Sequence, residues 1–177
     1  MDYQFMFQAS APRYLTVCDP QDETLGEAVE GVFPLDTEYA FMAWNWVYVP
    51  LSYKYDLAIM LADIVAMLDR VLSFGEGEIR IQWPSNTFAA EWRVKWKDGM
   101  VHVHATWRSV LGSTEDLLGR RPDIHVLVQD FVSEWQRPLE IIVRGLRLAG
   151  YDEHLSGLHH LEQVIGRIRQ PGQLYRE

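Results

Sequence analysis

The dipeptide Asp98-Gly99 lies between two stretches in which apolar and polar residues alternate, and this arrangement constrains the fold most strongly. Both central positions of a type I′ turn require positive φ, which Asp and Gly tolerate, so the dipeptide predicts a two-residue β-hairpin. Its strands are predicted at 88–97 and 100–109. Pairing them across the turn gives one wholly apolar face and one polar face. The chain is therefore expected to contain an antiparallel sheet with one face in solvent.

The polar face of this hairpin is predicted to be positively charged. The register places Arg93 opposite His104 and Lys95 opposite His102. Such a group of side chains suits an anionic small molecule, and it is kept as the alternative ligand-binding site. Two histidines at i and i+2 on a strand can also reach one metal ion. Their cationic neighbours would repel a metal, and Glu91 is the only carboxylate expected nearby, so no metal site and no cofactor are predicted.

Two long segments show helical spacing of apolar residues. The first covers 53–74, with Asp56 expected on its solvent side and Gly75 as a left-handed residue after its end. The second starts after Asp123, a plausible N-cap, and keeps one apolar stripe in phase across Pro138. This phase favours a kinked helix over a new helix beginning at the proline. A last short helix is predicted near the C-terminus.

Further strands are predicted at residues 3–8, 13–18, 39–49 and 78–83, from alternating or aromatic-rich sequence. The seven tryptophans are expected mostly on the buried sheet face rather than in a ligand pocket. Residues 1–177 are expected to form a single domain, since a chain of this size buries roughly 70% of its surface. The predicted fold class is α+β, an antiparallel sheet with one face packed by a central helix and a C-terminal helical segment.

The sequence predicts a cytoplasmic protein that does not enter a membrane. The first seven residues lack the basic and apolar regions of a signal peptide. The longest apolar segment, 57–72, is interrupted by Asp63 and Asp69. Cys18 is the single cysteine, so no internal disulfide can form.

The negative charge of the chain is concentrated in its N-terminal part. The formal net charge is −9, and the first 78 residues contain 13 acidic and 3 basic side chains. The window 19–38 contains no Lys, Arg or His. Its carboxylates are Asp19, Asp22, Glu23, Glu27, Glu30, Asp36 and Glu38. A phosphate backbone would be repelled there, so no nucleic-acid partner is predicted.

The acidic window has two possible interpretations, a solvated loop or a partner-binding surface. A run of like charge often means only a solvated loop. Carboxylates gathered on one loop can also steer a basic protein towards the surface and accept hydrogen bonds from its Lys and Arg side chains. Solvation alone would tolerate a few lysines, so the absence of any cation favours a partner-binding surface formed by all seven carboxylates.

Sequence signatures of catalysis do not occur in the chain. There is no nucleophile elbow, CxxC pair, Walker loop or dinucleotide fingerprint. Adjacent acidic pairs such as Asp22-Glu23 fall in predicted loops, where neighbouring side chains usually point apart. The chain is therefore expected not to be an enzyme.

The segment WRVKWKDGMVHVHATW at 92–107, followed by FVSEW at 131–135 and by Leu139, resembles small bacterial proteins that often sit beside polymorphic toxins. In size and acidity the chain is also similar to immunity proteins of contact-dependent growth inhibition systems. The resemblance implies tight, stoichiometric inhibition of a cognate toxin domain, often a nuclease, and it assigns no functional residue.

Three hypotheses follow from these observations. The first is an immunity protein that neutralises a basic toxin domain through its acidic surface. The alternative is an anion-binding protein or enzyme that uses the cationic sheet face. The third is a subunit of a larger assembly whose contacts use Trp or Leu side chains. The sequence leaves the oligomeric state open.

Overall fold

The computed structural model describes residues 4–170, and within this range the chain forms two antiparallel sheets. The first sheet has the strand order β1 (Phe5–Gln8), β2 (Tyr39–Trp44), β3 (Val47–Ser52). The second has the order β4 (Gly77–Ser85), β5 (Phe88–Lys97), β6 (Met100–Val110), β7 (Asp123–Leu127). The predicted α+β class and the antiparallel pairing are confirmed, although the strands divide between two sheets rather than one.

The helices lie between groups of these strands along the chain, and the last two follow β7. They are α1 (Leu25–Val32), α2 (Ala58–Ser73), α3 (Glu115–Gly119), α4 (Val128–Ala149) and α5 (Leu158–Ile168). A π-helical turn at Tyr53–Leu57 leads into α2. Pro138 lies inside α4, so one helix continues across the proline, as the apolar stripe predicted. Among residues 4–170, no helix is both long enough and apolar enough to cross a membrane.

The β5–β6 hairpin has the predicted turn and register. Asp98 and Gly99 have φ of 52° and 76°, the left-handed values that a type I′ turn requires. Arg93 pairs with His104, and Lys95 pairs with His102. The alternation therefore divides this sheet into a buried face and a solvent face as expected.

An aromatic cluster between the two sheets and α4 forms the centre of the core. The Trp92 side chain is fully buried, and its ring lies 5.1–6.5 Å from six other aromatic rings. These belong to Phe5, Trp44, Trp83, Phe88, Trp107 and Trp135. Several pairs are edge to face, the arrangement that aromatic quadrupoles favour. The prediction that most tryptophans belong to the core is confirmed.

The two sheets are also joined at their edges. The amide N–H of His125 donates to Oε1 of Gln4 over 2.7 Å, which links β7 to the chain before β1. The indole N–H of Trp44 donates to the carbonyl of Arg121 over 3.0 Å. Both contacts join the neighbouring ends of β1 and β2 to the segment 121–125, which contains the first residues of β7.

Two strand predictions were wrong. The segment 39–49 is the β2–β3 hairpin, because Asn45 and Trp46 have φ of 46° and 71° and form its turn. Trp46 is consequently 59% exposed. Residues 13–18 form no strand. Tyr3, at the start of the first predicted strand, lies outside the described residues.

Three predictions about the helices were also wrong, two about their ends and one about the burial of a side chain. Asp123 is the first residue of β7 rather than a helix cap, and α4 begins five residues later. Phe74, in extended conformation, caps the end of α2, and Gly75 is not among the positive-φ glycines. Asp56 is fully buried rather than solvent-facing, since it lies in the π-helical turn.

Candidate functional site

The acidic window begins with a segment whose conformation is fixed by a helix cap. Thr24 is the N-cap of α1, and its Oγ1 accepts a hydrogen bond from the amide of Glu27 over 3.3 Å. In return, Oε2 of Glu27 accepts from the Thr24 amide over 2.9 Å. This reciprocal pair is a capping box, which satisfies amides at the start of the helix. The bonds from the Thr24 side chain and from the Glu23 and Thr24 amides lower the pKa of Glu27.

Tyr151 holds the residues before this helix against the C-terminal half of the chain. Its hydroxyl donates to the Asp22 carboxylate and accepts a hydrogen bond from the Asp19 amide over 3.1 Å. Burial and the hydrogen bond to Asp22 raise the pKa of Tyr151 to about 12. Arg147 donates to the Tyr151 carbonyl and binds Glu162 of α5 through two hydrogen bonds of 2.7 Å. The acidic segment is therefore anchored to a rigid helical frame.

Five carboxylates of the window lie along α1 or just before it. The helix buries one side against the core, and Glu27 and Glu30 lie on the exposed side. Glu27 and Glu30 are three residues apart within α1, which places them on one helical face, and Glu23 is exposed just before the N-cap. Among residues 4–170, no Lys, Arg or His nitrogen lies within 4.0 Å of the carboxylates of this group. We call Asp19, Asp22, Glu23, Glu27 and Glu30 the acidic face.

The other two carboxylates of the predicted surface are not part of the acidic face. Asp36 and Glu38 follow the C-terminal end of α1. Glu38 binds Arg13, with 2.9 Å between Oε1 and the guanidinium Nε and 2.7 Å between Oε2 and the Arg13 amide. Its charge is thus compensated within the chain. Asp36 is exposed but has no described contact with the acidic face.

An apolar cleft of about 430 Å³ adjoins the acidic face, and sequence reasoning missed it. It lies between α1, α2 and the start of α5 with the loop before it, and its lining includes Leu25, Ile59, Ala62, Gly157 and the imidazole-bearing His160. The Ile59 side chain is 52% exposed. The signal in the sequence was that Ile59, Ala62 and Ala66 repeat at helical spacing outside the main buried stripe of α2.

The cationic sheet face carries the four side chains that the sequence predicted. Arg93, Lys95, His102 and His104 line a shallow cavity of about 260 Å³ on the solvent side of β5 and β6. Glu78 of β4 lies beside it, with 3.2 Å between its carboxylate and Nζ of Lys95 and 3.7 Å to Nε of Arg93.

Asp123 also belongs to the cationic sheet face, since β7 brings it beside the two histidines. Its Oδ1 lies 2.8 Å from Nε2 of His102 and 2.9 Å from Nδ1 of His104. Partial burial opposes ionisation of Asp123, but the hydrogen bonds from the two histidines lower its pKa below the usual value. The expectation that Glu91 is the only carboxylate near this face was therefore wrong.

No group of three or more His, Cys, Asp or Glu side chains suited to a metal ion occurs within residues 4–170. The histidines of the cationic sheet face contact the same carboxylate oxygen, an arrangement that fits a hydrogen-bonded cluster. Comparison of the chain with protein-family models, curated proteins and solved structures finds no match.

Proposed function

We propose that this chain is an immunity protein that binds and neutralises a basic toxin domain, with the acidic face and the apolar cleft as its docking surface. The observation that supports this proposal is the position of uncompensated carboxylates beside an exposed apolar cleft on the same helices. Stable protein interfaces commonly combine an apolar centre with a polar, charged rim.

The charges have two roles in this proposal. Carboxylates on one side of the molecule raise the association rate with a positively charged partner. In the complex they accept hydrogen bonds from Arg and Lys side chains, which are stronger than bonds between neutral groups. Both effects suit an inhibitor that must meet its toxin quickly and hold it tightly.

The rigidity of the surface supports the same role. The capping box fixes the start of α1, and Tyr151 fixes the segment before it. The helix is packed against α2 and α4. A surface that is ordered before binding loses less conformational entropy on association.

The apolar cleft supplies the centre that charges alone would lack. Ile59 is half exposed at its edge, and Asp63 of α2 is exposed nearby on the same helix. Burying such side chains contributes roughly 25 cal/mol per Å² of apolar surface. A partner segment that carries apolar and basic side chains at helical spacing would match both the cleft and its acidic rim.

The test is a pair of charge reversals on the acidic face. Glu23→Lys and Glu30→Lys leave the capping box intact, since neither side chain belongs to it. The double variant is expected to weaken binding of the toxin domain encoded by the adjacent reading frame by more than about tenfold, or 1.4 kcal/mol. Isothermal titration calorimetry at low and moderate salt measures the loss.

The matched control reverses two exposed carboxylates elsewhere, Asp116 of α3 and Asp130 of α4. It changes the net charge equally and is expected to weaken binding far less. Ile59→Asp is a further variant and tests the cleft. Two results would reject this docking surface. The first is an equal loss of affinity in the Glu23→Lys, Glu30→Lys variant and in its control. The second is unchanged affinity in both that variant and Ile59→Asp.

A further inference from the structure

The cationic sheet face offers a site that the proposed docking surface does not use. Its four lining residues are all accessible, with side-chain exposures between 40% and 51%. The cavity they surround, about 260 Å³, equals the liquid volume of roughly nine water molecules. This volume is sufficient for a small oxyanion.

The hydrogen bonds to Asp123 determine which imidazole nitrogens remain free. An ionised carboxylate only accepts hydrogen bonds, so Nε2 of His102 and Nδ1 of His104 both donate to Asp123. The second nitrogen of each ring, Nδ1 of His102 and Nε2 of His104, has no hydrogen-bond partner among residues 4–170. In a neutral imidazole this second nitrogen is an acceptor, and it turns into a donor on protonation.

We propose that this cavity is a proton-dependent binding site for a small oxyanion such as phosphate or sulfate. Arg93 and Lys95 supply permanent positive charge, and His102 and His104 supply two additional N–H donors once their rings are protonated. Histidine is the side chain whose charge ordinarily changes near neutral pH. Binding is therefore weak in mildly alkaline solution and strengthens as the solution becomes mildly acidic.

The charges around the two histidines determine the size of this change. The neighbouring strands present acidic groups (Glu78 on β4, Glu91 on β5, Asp123 on β7) and basic groups (Arg80 on β4, Arg93, Lys95 and Lys97 on β5, Arg108 on β6), and Glu76, just before β4, lies 3.0 Å from Nζ of Lys97. His125 of β7 stacks on His102, with ring centroids 4.2 Å apart. Five permanent cations thus face four carboxylates, and protonation of the histidines makes the face more positive. The oxyanion compensates this added charge.

The experiment measures sulfate affinity at about pH 5.5 and about pH 7.5 at constant ionic strength, because sulfate keeps its two charges across this range. The expected result is a dissociation constant at least about tenfold lower at the acidic pH. His102→Gln with His104→Gln is expected to remove this pH dependence, and Arg93→Gln to weaken binding at both pH values. His154→Gln with His159→Gln changes two exposed histidines elsewhere and is expected to behave like the wild type.

Two outcomes would overturn the site. The first is equal affinity at both pH values in the wild type, including no binding at either. The second is a pH dependence that survives in the His102→Gln, His104→Gln variant. Because the acidic face is unchanged in all these variants, failure of this site leaves toxin binding intact, and loss of toxin binding leaves the sulfate result unchanged. Parallel titrations with inorganic phosphate and glycerol 3-phosphate distinguish a free oxyanion from a phosphomonoester.

Discussion

At the scale of single residues, Asp56 shows how local backbone geometry decides the role of a side chain. Its carboxylate is fully buried and accepts hydrogen bonds from the Ser52 amide over 2.8 Å, from the Thr87 hydroxyl over 2.6 Å and from the Ser85 hydroxyl. These bonds tie the start of α2 to the β4–β5 hairpin. Helical periodicity placed Asp56 in solvent because it assumes 3.6 residues per turn, whereas this turn is π-helical and wider.

Asp56→Ala is expected to lower the free energy of unfolding by about 3–5 kcal/mol. The substitution leaves the buried Ser52 amide and one of the two hydroxyls without an acceptor, since the Ser85 and Thr87 hydroxyls, 3.1 Å apart, can bond each other only once, and unpaired buried donors are costly. Urea denaturation measures the loss. Asp63→Ala, at an exposed position of α2, is the control and should change stability by less than about 0.5 kcal/mol. Similar small effects in both variants would contradict the structural role of Asp56.

At the scale of elements, turns with specific backbone chemistry were predictable and long-range pairing was not. Asp98-Gly99 determines a hairpin locally, since both residues tolerate positive φ, and the register of β5 and β6 followed from it. The Asn45-Trp46 turn also has positive φ, but no glycine marks it. An aromatic-rich segment therefore looked like one strand when it is two.

The strand β7 shows the second limit of sequence reasoning. It has five residues and runs directly into α4, so its alternation is too short to distinguish from the first turn of a helix. Its partner strand β6 is separated from it by a loop and α3. Asp123 was consequently predicted as a helix cap, and its position beside His102 and His104 was missed.

The contact between β1 and α4 leads to a prediction about pH. The Phe7 amide donates to Oε2 of Glu134 over 2.7 Å. Burial raises the pKa of Glu134, the Phe7 amide lowers it, and the charge of Asp130 raises it further, with a net upward shift. A carboxyl whose pKa is raised in the folded state contributes most to stability below its unfolded pKa, and this contribution is lost as pH rises through the folded pKa.

Glu134→Gln is therefore expected to gain stability relative to the wild type as pH rises from about 4 to about 7. Glutamine stays neutral and still offers a carbonyl oxygen to the Phe7 amide, so the pH-dependent cost of ionisation disappears. Unfolding free energies of both proteins at several pH values measure the difference. A difference that does not vary with pH, or that varies in the opposite direction, would contradict the assignment.

At the scale of the whole molecule, the chain presents two surfaces of opposite charge. Composition alone predicted the acidic excess in the N-terminal part, and the alternation of β5 and β6 predicted the cationic sheet face. Neither predicted that Arg13 would compensate Glu38, or that α2 and the loop before α5 would form an apolar cleft beside α1. These features depend on how elements distant in the sequence pack together, and local sequence patterns do not predict such packing.

Each of the two surfaces belongs to a different proposal. The acidic face and the apolar cleft are argued to hold a protein, and the cationic sheet face is argued to hold a small oxyanion. A subunit interface through Trp or Leu side chains that were assigned to the core stays a prediction, and Trp46, one of these tryptophans, is exposed.

Hydrogen exchange of the chain, measured with and without the toxin domain that the proposal requires as its partner, tests the proposed docking surface most directly. We predict that binding slows amide exchange in residues 19–32 and 58–66, which contain the acidic face and one wall of the apolar cleft, and leaves β5 and β6 unchanged. Slower exchange in β5 and β6, with no change along α1, would contradict the account, because the partner would then occupy the cationic sheet face.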